Sequence, residues 1–395
     1  MPVETSRGRR VYIDWARGLA VLLMIEAHTA DAWTRAADRH SAAFSLALML
    51  GGFAAPLFLW LAGIGLALSG ARLTRNGASR GSVVGTICRR GLEIFILAFL
   101  FRLQGFIVTP GSYPVTIFRV DILNVMGPAI VAAGIVWAAG ASARALVLWY
   151  AAVASAIALL TPIIRTAAIV DVLPLWFQWY LKPAGDLTAF TLFPWAGFVF
   201  AGAACGVILA TTDKRSAERR AQFAFAVAGL FIVALGQFLS KRASIYEHSF
   251  FWTSSPTWFA IRVGIVMTAV AALYALSEGV ARKGVVPLFR EAGAKKGYDP
   301  FSGASRSLER FGRSSLFVYW IHVELVYGYA TWPLRHRLPL WGTLLACAAF
   351  SLLMYCAVIF RDRIVEKWRL RGGMPPWSND LAAGLGEKSV VNRPV

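Results

Sequence analysis

Apolar residues run along this chain in stretches of about 20, separated by short polar or basic segments. A helix needs about 20 mostly apolar residues to cross the hydrocarbon core of a bilayer. The pattern therefore predicts an all-α, polytopic membrane protein with roughly ten transmembrane helices. We place them near residues 12–31, 46–70, 84–103, 119–139, 145–164, 188–210, 221–240, 257–277, 314–332 and 339–360.

Composition excludes the main alternatives to a membrane protein. The chain of 395 residues is 57% hydrophobic and only 15% charged, whereas soluble domains are about 25% charged. A soluble globular domain and a disordered chain are therefore both excluded. The net charge of +19 comes from Lys and Arg in short segments between apolar runs. That distribution is typical of a protein in a lipid bilayer, and it indicates no nucleic-acid partner.

The positions of Lys and Arg predict the orientation. They concentrate in the N-terminal tail, in alternate connections and in the C-terminal tail, which places both termini in the cytoplasm. The predicted organisation is a cytoplasmic tail (1–10), a helical transmembrane domain (11–361) and a second cytoplasmic tail (362–395). A Gly-rich, basic cytoplasmic loop (278–313) is either a solvated loop or a landing surface for a polyanion such as coenzyme A.

Two apolar segments differ from the ordinary spans. The first apolar stretch is long and has no convincing small-residue cleavage site, so we expect it to remain as a span rather than act as a cleavable signal peptide. The aromatic stretch 172–180, interrupted by Pro174, suggests an interfacial or re-entrant piece on the outer side.

Ionisable residues inside predicted spans are costly, and they usually serve a function. The first span places Asp14, Arg17 and His28 on one helical face, with Asp14 and His28 about 21 Å apart along the axis. One face would therefore touch both sides of the membrane. The alternatives are an i, i+3 salt bridge between Asp14 and Arg17, and a purely structural role for His28.

Other spans carry further polar groups. His322 lies in the ninth predicted span with Tyr319 one turn away on its face, and imidazole can exchange a proton at working pH. Glu93 lies in the third span, while Arg119 and Asp121 open the fourth at the predicted outer rim. They are candidates for binding a substrate, or they form ion pairs that stabilise the bundle. The four cysteines lack metal-site spacing, so no metal is predicted.

Several stretches resemble one known family. The stretch DWARGLAVLLM begins at Asp14 and is followed by His28. Together with APLFLWLAG, FRVDILNVMG, FPW and GRSSLFVYWIH further along the chain, it resembles the membrane acyltransferases related to heparan-alpha-glucosaminide N-acetyltransferase, and their bacterial relatives look closest. The similar stretches extend from the first to the ninth predicted span, at residues 14–28, 55–63, 118–127, 193–195 and 312–322.

The resemblance implies roles for particular residues. Arg17 and His28 match the Arg-x10-His arrangement of the wider superfamily of membrane glycan acyltransferases, which would make Arg17 a donor-binding group and His28 the catalytic base. In the lysosomal enzyme of this family, heparan-alpha-glucosaminide N-acetyltransferase, the catalytic histidine comes later in the chain, nearer the position of His40. Both His28 and His40 therefore stay open as the base. The expected catalytic candidates are His28, His40 and His322; donor-binding candidates are Asp14, Arg17 and Arg313; acceptor-binding candidates are Arg119, Asp121, Glu93 and Tyr319.

The implied activity is transfer of an acetyl group from cytoplasmic acetyl-CoA, without a metal, to a sugar or glycan acceptor on the other side. The resemblance also implies a location in the bacterial cytoplasmic membrane and leaves a homodimer open. One competing interpretation is a proton-coupled transporter that uses Glu93, Asp121 and His322. A membrane scaffold without chemistry is the other. No repeated halves, which many transporters have, are visible in the sequence.

Overall fold

The computed structural model describes residues 9–285 and 300–370 of the chain. The described residues form helices and contain no β-strand. Two isolated β-bridges join Thr34 to Leu338 and Val120 to Thr188. The helices, in chain order, are α1 (Val11–Trp33), α2 (Ala42–Gly51), α3 (Ala54–Arg75), α4 (Arg80–Val108), α5 (Ile122–Ala139), α6 (Ala143–Thr166), α7 (Leu175–Leu181), α8 (Leu192–Ala210), α9 (Arg215–Ser240), α10 (Pro256–Val285), α11 (Pro300–Arg313), α12 (Ser315–Tyr327) and α13 (Leu340–Leu370).

The predicted fold class is confirmed. Within the described residues, eight helical stretches are long and apolar enough to cross a membrane, and α2 and α3 together count as one of them. The two remaining predicted spans correspond to α1, which carries Asp14, Arg17, Glu26 and Asp31, and to α12, which has only 13 residues. The total of ten spans and the cytoplasmic placement of both termini stay predictions.

The second predicted span, 46–70, is interrupted in the structure. It divides into α2 and α3 at Gly52 and Phe53. The guanidinium of Arg262, on α10, donates to the carbonyl oxygen of Gly52. It also lies over the rings of Phe53 and Trp258, 4.8 and 4.5 Å from their centroids. Arg262 therefore supplies a hydrogen-bond donor to a backbone carbonyl group at the break between α2 and α3. Hydropathy alone shows it only as a charge within a span.

Much of the predicted loop 278–313 is helical where the structure describes it, and its cytoplasmic location stays a prediction. Helix α10 continues to Val285, and residues 300–313 form helix α11, packed along α1. The two helices approach closely because each presents a glycine: a Cβ on Gly18 would overlap Leu308 on α11, and one on Gly312 would overlap Asp14 on α1. Residues 1–8, 286–299 and 371–395, which belong to the predicted tails and loop, lie outside the described residues.

Helix α1 is central to the part of the fold that holds the site. It packs against α2, α3, α10, α11, α12 and α13. Its residues Val21 and Ile25 are fully buried, in a cluster that includes Val318 of α12 and Met354 of α13. The face that carries Asp14 and His28 is thereby held against a cavity between α1, α3, α4, α5 and α12.

The aromatic segment after α6 forms a short three-ten turn and then α7. Leu175, Trp176 and Phe177 are all exposed there. Exposed aromatic side chains are expected at a membrane–water interface. The interfacial position of this segment stays a prediction.

Candidate active site

A cavity of about 1740 Å³ runs beside α1. Asp14, Arg17 and His28 all line it, as expected from their shared helical face. Because Asp14 and His28 are separated by about 21 Å of helix, the cavity has two chemically different ends. We call them the arginine end, lined by Arg9, Arg17, Arg72, Arg89, Arg90 and Arg313, and the histidine end, lined by His28, Asp31, Arg102, Arg119, Asp121, Glu324 and Tyr327.

A buried carboxylate organises the arginine end. Asp14 is 2% exposed, and Arg9 contacts it through two hydrogen bonds, from Nε to Oδ2 at 2.6 Å and from Nη2 to Oδ1 at 3.0 Å. Arg17 Nη1 donates to Oδ1 at 3.3 Å. The i, i+3 pair between Asp14 and Arg17 therefore exists, and the Arg17 side chain, 29% exposed, also faces the cavity. Asp14 therefore contacts two guanidinium groups, both of which line the cavity.

Other cations line the same end of the cavity. Arg72 and Arg313 line the cavity and have no carboxylate partner among the described residues. Arg89 and Arg90 share Glu93, at 2.9 and 3.2 Å. The arginine end therefore carries an excess of positive charge and suits a ligand with several phosphates.

Glu93 thus lies with its arginine neighbours on α4, and not with Arg119 and Asp121, with which it was grouped as an acceptor-binding candidate. Arg102 follows Glu93 by about 13.5 Å along the same helix. Its Nη1 contacts Asp121 Oδ2 at 3.2 Å. Glu93 and Arg102, both on α4, therefore belong to opposite ends of the cavity.

The histidine end contains a chain of hydrogen bonds that joins two helices. His28 Nδ1, on α1, lies 3.1 Å from the hydroxyl oxygen of Tyr327, the last residue of α12. The Tyr327 hydroxyl donates to Asp31 Oδ2 at 2.9 Å. Asp31 is one turn beyond His28 on α1, and its side chain is 55% exposed. The chain of contacts therefore leads from the cavity wall to solvent.

A second imidazole lies behind the first. His322 is fully buried, and its ring centroid is 5.2 Å from that of His28. Its Nδ1 is 2.8 Å from the carbonyl oxygen of Val318 and 2.9 Å from that of Tyr319, so this nitrogen carries a proton. Its Nε2 has no hydrogen-bond partner among the described residues. Tyr319 itself lines the cavity, whereas His322 does not.

The structure separates the two candidates for the base. His40 is exposed, lies between a three-ten turn and α2, and does not line the cavity. Its neighbour Arg39 instead donates to the backbone of Asp31 and Thr34 and contacts His336. Of the three candidate histidines, His28 lies on the cavity wall, His322 packs against the His28 ring, and His40 lies away from the cavity.

Charged groups surround the histidine end. Asp121 precedes α5 and contacts Arg102 at 3.2 Å and Arg119 at 3.7 Å. Glu324, on α12, is mostly buried and accepts a hydrogen bond from Thr109 Oγ1 at 3.3 Å. These side chains line the cavity and offer both donors and acceptors to a polar ligand. Within the described residues no group of three or more His, Cys, Asp or Glu is arranged to hold a metal ion.

Sequence reasoning missed Asp31, Tyr327 and Glu324. Asp31 had a usable signal, because it follows His28 by three residues on the same helix and so shares its face. Tyr327 had none, because only the packing of α12 against α1 brings it to His28.

Comparison with known proteins adds one finding. The model of one protein family, described as heparan-alpha-glucosaminide N-acetyltransferase, catalytic, matches residues 9–239. This range covers more than half of the 395 residues, from just before α1 almost to the end of α9. It includes Arg17, His28 and Asp121, and it ends before α12. No curated protein matches the chain.

Proposed function

Because this chain belongs to the heparan-alpha-glucosaminide N-acetyltransferase catalytic family, we propose that it transfers an acetyl group from acetyl-CoA, bound at the arginine end, to a sugar that enters at the histidine end. The family implies an acetyltransferase, and the apolar helices make it a multi-pass membrane protein. The observation that carries the proposal is one continuous cavity with an excess of arginine at one end and His28 at the other.

Donor binding is the role proposed for the arginine end. Coenzyme A carries several phosphate charges, and guanidinium groups bind phosphates through charge-assisted, often bidentate hydrogen bonds. Arg17, Arg72 and Arg313 would contact these phosphates, while Asp14 holds Arg17 in place. The pantetheine arm would then extend along α1, so that the thioester approaches His28 without any carrier crossing the membrane.

Base catalysis is the role proposed for His28. Its Nε2 would take the proton from the acceptor amine or hydroxyl as that group attacks the thioester carbonyl. The C–S bond then breaks and coenzyme A leaves as the thiolate. Tyr319 lies on the same cavity wall, and its hydroxyl is a candidate donor to the developing oxyanion. His322 would support His28 from behind rather than contact the substrate.

Acceptor binding is the role proposed for Arg119 and Asp121, together with Arg102 and Glu324. Their charges nearly balance, as suits a neutral or weakly charged polyol that needs both donors and acceptors. We place the arginine end in the cytoplasm of a bacterial cell, where acetyl-CoA is made, and the histidine end on the opposite face of the cytoplasmic membrane.

The test compares His28→Gln with His40→Gln in protein purified into lipid nanodiscs, measuring acetyl-CoA binding and acetyl transfer to glucosamine. We expect His28→Gln to bind acetyl-CoA as the unmodified chain does and to lose about 10²- to 10⁴-fold in turnover, the usual contribution of a general base. His40→Gln is the matched control and should keep full activity. Full turnover in His28→Gln, or no acetyl-CoA binding by the unmodified chain, would refute the proposal.

No contact in the described structure favours the transporter interpretation. Its three relay residues do not form a connected path: Glu93 pairs with Arg89 and Arg90, and His322 bonds to its own helix. Asp121 pairs with Arg102 and Arg119 at the histidine end of the cavity, away from Glu93.

A further inference from the structure

The hydrogen bonds around His28 determine which of its nitrogens carries the proton. Asp31 is 55% exposed and lies 3.7 Å from Arg39, so it is ionised and can only accept hydrogen bonds. The single hydroxyl proton of Tyr327 is donated to Asp31. The Tyr327 oxygen must therefore accept from His28 Nδ1, which must carry a proton. Nε2 of a neutral His28 is then left with a free lone pair.

The neighbouring imidazole does not change this assignment. His322 Nδ1 donates to its own helix backbone, so Nε2 of a neutral His322 also lacks a proton. It therefore has no hydrogen to offer to His28. Tyr327 and Asp31 alone set the tautomer of His28 among the described contacts, as outer partners do for functional histidines in general.

We propose that Tyr327 and Asp31 are positioning residues that hold His28 with its basic Nε2 toward the cavity and carry the acceptor's proton away to solvent. The inference rests on the proposed role of His28 as the base.

The proton balance of the step is complete. As the acceptor's N–H or O–H bond breaks, a new N–H bond forms at His28 Nε2. The Nδ1 proton moves to the Tyr327 oxygen while the hydroxyl proton of Tyr327 moves to Asp31. Asp31, which is open to solvent, then releases that proton to water. The electron pair of the broken C–S bond leaves with coenzyme A, whose thiolate takes the Nε2 proton of His28. A proton that returns from solvent through Asp31 and Tyr327 to Nδ1 restores the starting tautomer.

A purely structural role is the competing explanation, because the Tyr327 hydroxyl also ties α12 to α1. The two explanations differ in what happens to the imidazole. A structural tie, when removed, lowers stability and leaves the tautomer of His28 unchanged. A positioning residue, when removed, changes the tautomer even in a folded protein.

The first experiment reads the tautomer directly by ¹⁵N NMR of histidine-labelled protein in lipid. The chain has five histidines, and His28→Gln assigns the signal. We expect an Nδ1–H tautomer in the unmodified protein and its loss in Tyr327→Phe. Tyr150→Phe is the control, because it also removes one tyrosine hydroxyl from a helix contact: the Tyr150 hydroxyl donates to the carbonyl oxygen of Ala133, away from the cavity. An Nε2–H tautomer in the unmodified chain, or no change in Tyr327→Phe, overturns the inference.

The second experiment measures acetyl transfer from acetyl-CoA to glucosamine. We expect Tyr327→Phe and Asp31→Asn each to lower kcat about 10- to 100-fold, the range found for outer partners of metal-bound histidines, with KM for acetyl-CoA unchanged. The double variant should be no slower than the slower single variant, because the two residues act in series. Asp171→Asn, which removes an equally exposed carboxylate from Lys182, is the control.

The outcomes separate this inference from the proposed function. If the unmodified chain transfers acetyl and Tyr327→Phe matches it, the inference fails and the proposed function stands. Multiplicative losses in the double variant also overturn the relay. If the unmodified chain neither binds nor transfers acetyl, the proposed function fails and the proton relay fails with it.

Discussion

Replacing Arg17 with Met tests the donor site without dismantling its surroundings. The Arg17 guanidinium contacts Asp14 at 3.3 Å, but Arg9 holds the same carboxylate through two bonds at 2.6 and 3.0 Å. Asp14 therefore keeps a partner when Arg17 is removed, and Met keeps the apolar stem of the side chain. We expect the free energy of unfolding to fall by only about 0–1 kcal/mol.

The effect on donor binding should be much larger. A charge-assisted hydrogen bond contributes about 1.5–3 kcal/mol, and 1.4 kcal/mol corresponds to a factor of ten in Kd. Arg17 is 29% exposed, so solvent screens the interaction only in part. We therefore expect Arg17→Met to raise the Kd for acetyl-CoA about 10- to 100-fold. Turnover at saturating acetyl-CoA should change less, because Arg17 lies about 16 Å of helix from His28.

Isothermal titration of acetyl-CoA into nanodisc-bound protein measures this shift, with thermal unfolding recorded on the same samples. Arg144→Met is the control, since Arg144 is exposed, lies off the cavity and removes the same charge from the chain. Unchanged affinity in a folded Arg17→Met protein would remove Arg17 from the donor site. An equal loss of affinity in Arg144→Met would show that only net charge matters.

Three further predictions concern stability, measured by unfolding in detergent or lipid. Arg102→Met should cost about 1–3 kcal/mol, because it leaves Asp121, 14% exposed, with the 3.7 Å contact to Arg119 and the backbone N–H of Asn124. Adding Asp121→Asn should restore much of the loss, and no measurable cost in the single variant would contradict this. Gly312→Ala should separate α11 from α1 and cost about 1–3 kcal/mol, whereas Gly279→Ala, with open space at its Cβ position, should be nearly neutral. The Leu340 backbone N–H, 2.8 Å from Asp38 Oδ2, holds the pKa of that carboxyl below its usual value. The ionised Asp38 therefore stabilises the folded state at pH values above the pKa of an unfolded aspartate, and this stabilisation is lost as pH falls through the lower folded pKa. Asp38→Asn should flatten that part of the stability–pH curve. An unchanged curve would contradict the role of the Leu340 contact.

Local pattern was enough to predict the helices that are long and apolar enough to cross a membrane. Because a bilayer requires about 20 apolar residues and internally satisfied backbone groups, hydropathy alone indicates an all-helical, multi-pass chain. The pattern failed where a helix is not a simple span. It indicated no helix within residues 300–313, which form α11 packed along α1, where Gly312 permits the close approach. It also missed the helix break at Gly52, where Arg262 from a distant helix donates a hydrogen bond to the Gly52 carbonyl oxygen.

The site divides in the same way. Sequence alone placed Asp14, Arg17 and His28 on one face, because helical periodicity relates residues of a single segment. It also supplied the family resemblance, which the match over residues 9–239 confirms. Only the tertiary structure decided that His40 lies off the cavity, that Glu93 belongs to the arginine end, and that Tyr327 meets His28. Contacts between helices far apart in the chain depend on how whole helices pack, and no local spacing in the sequence encodes that.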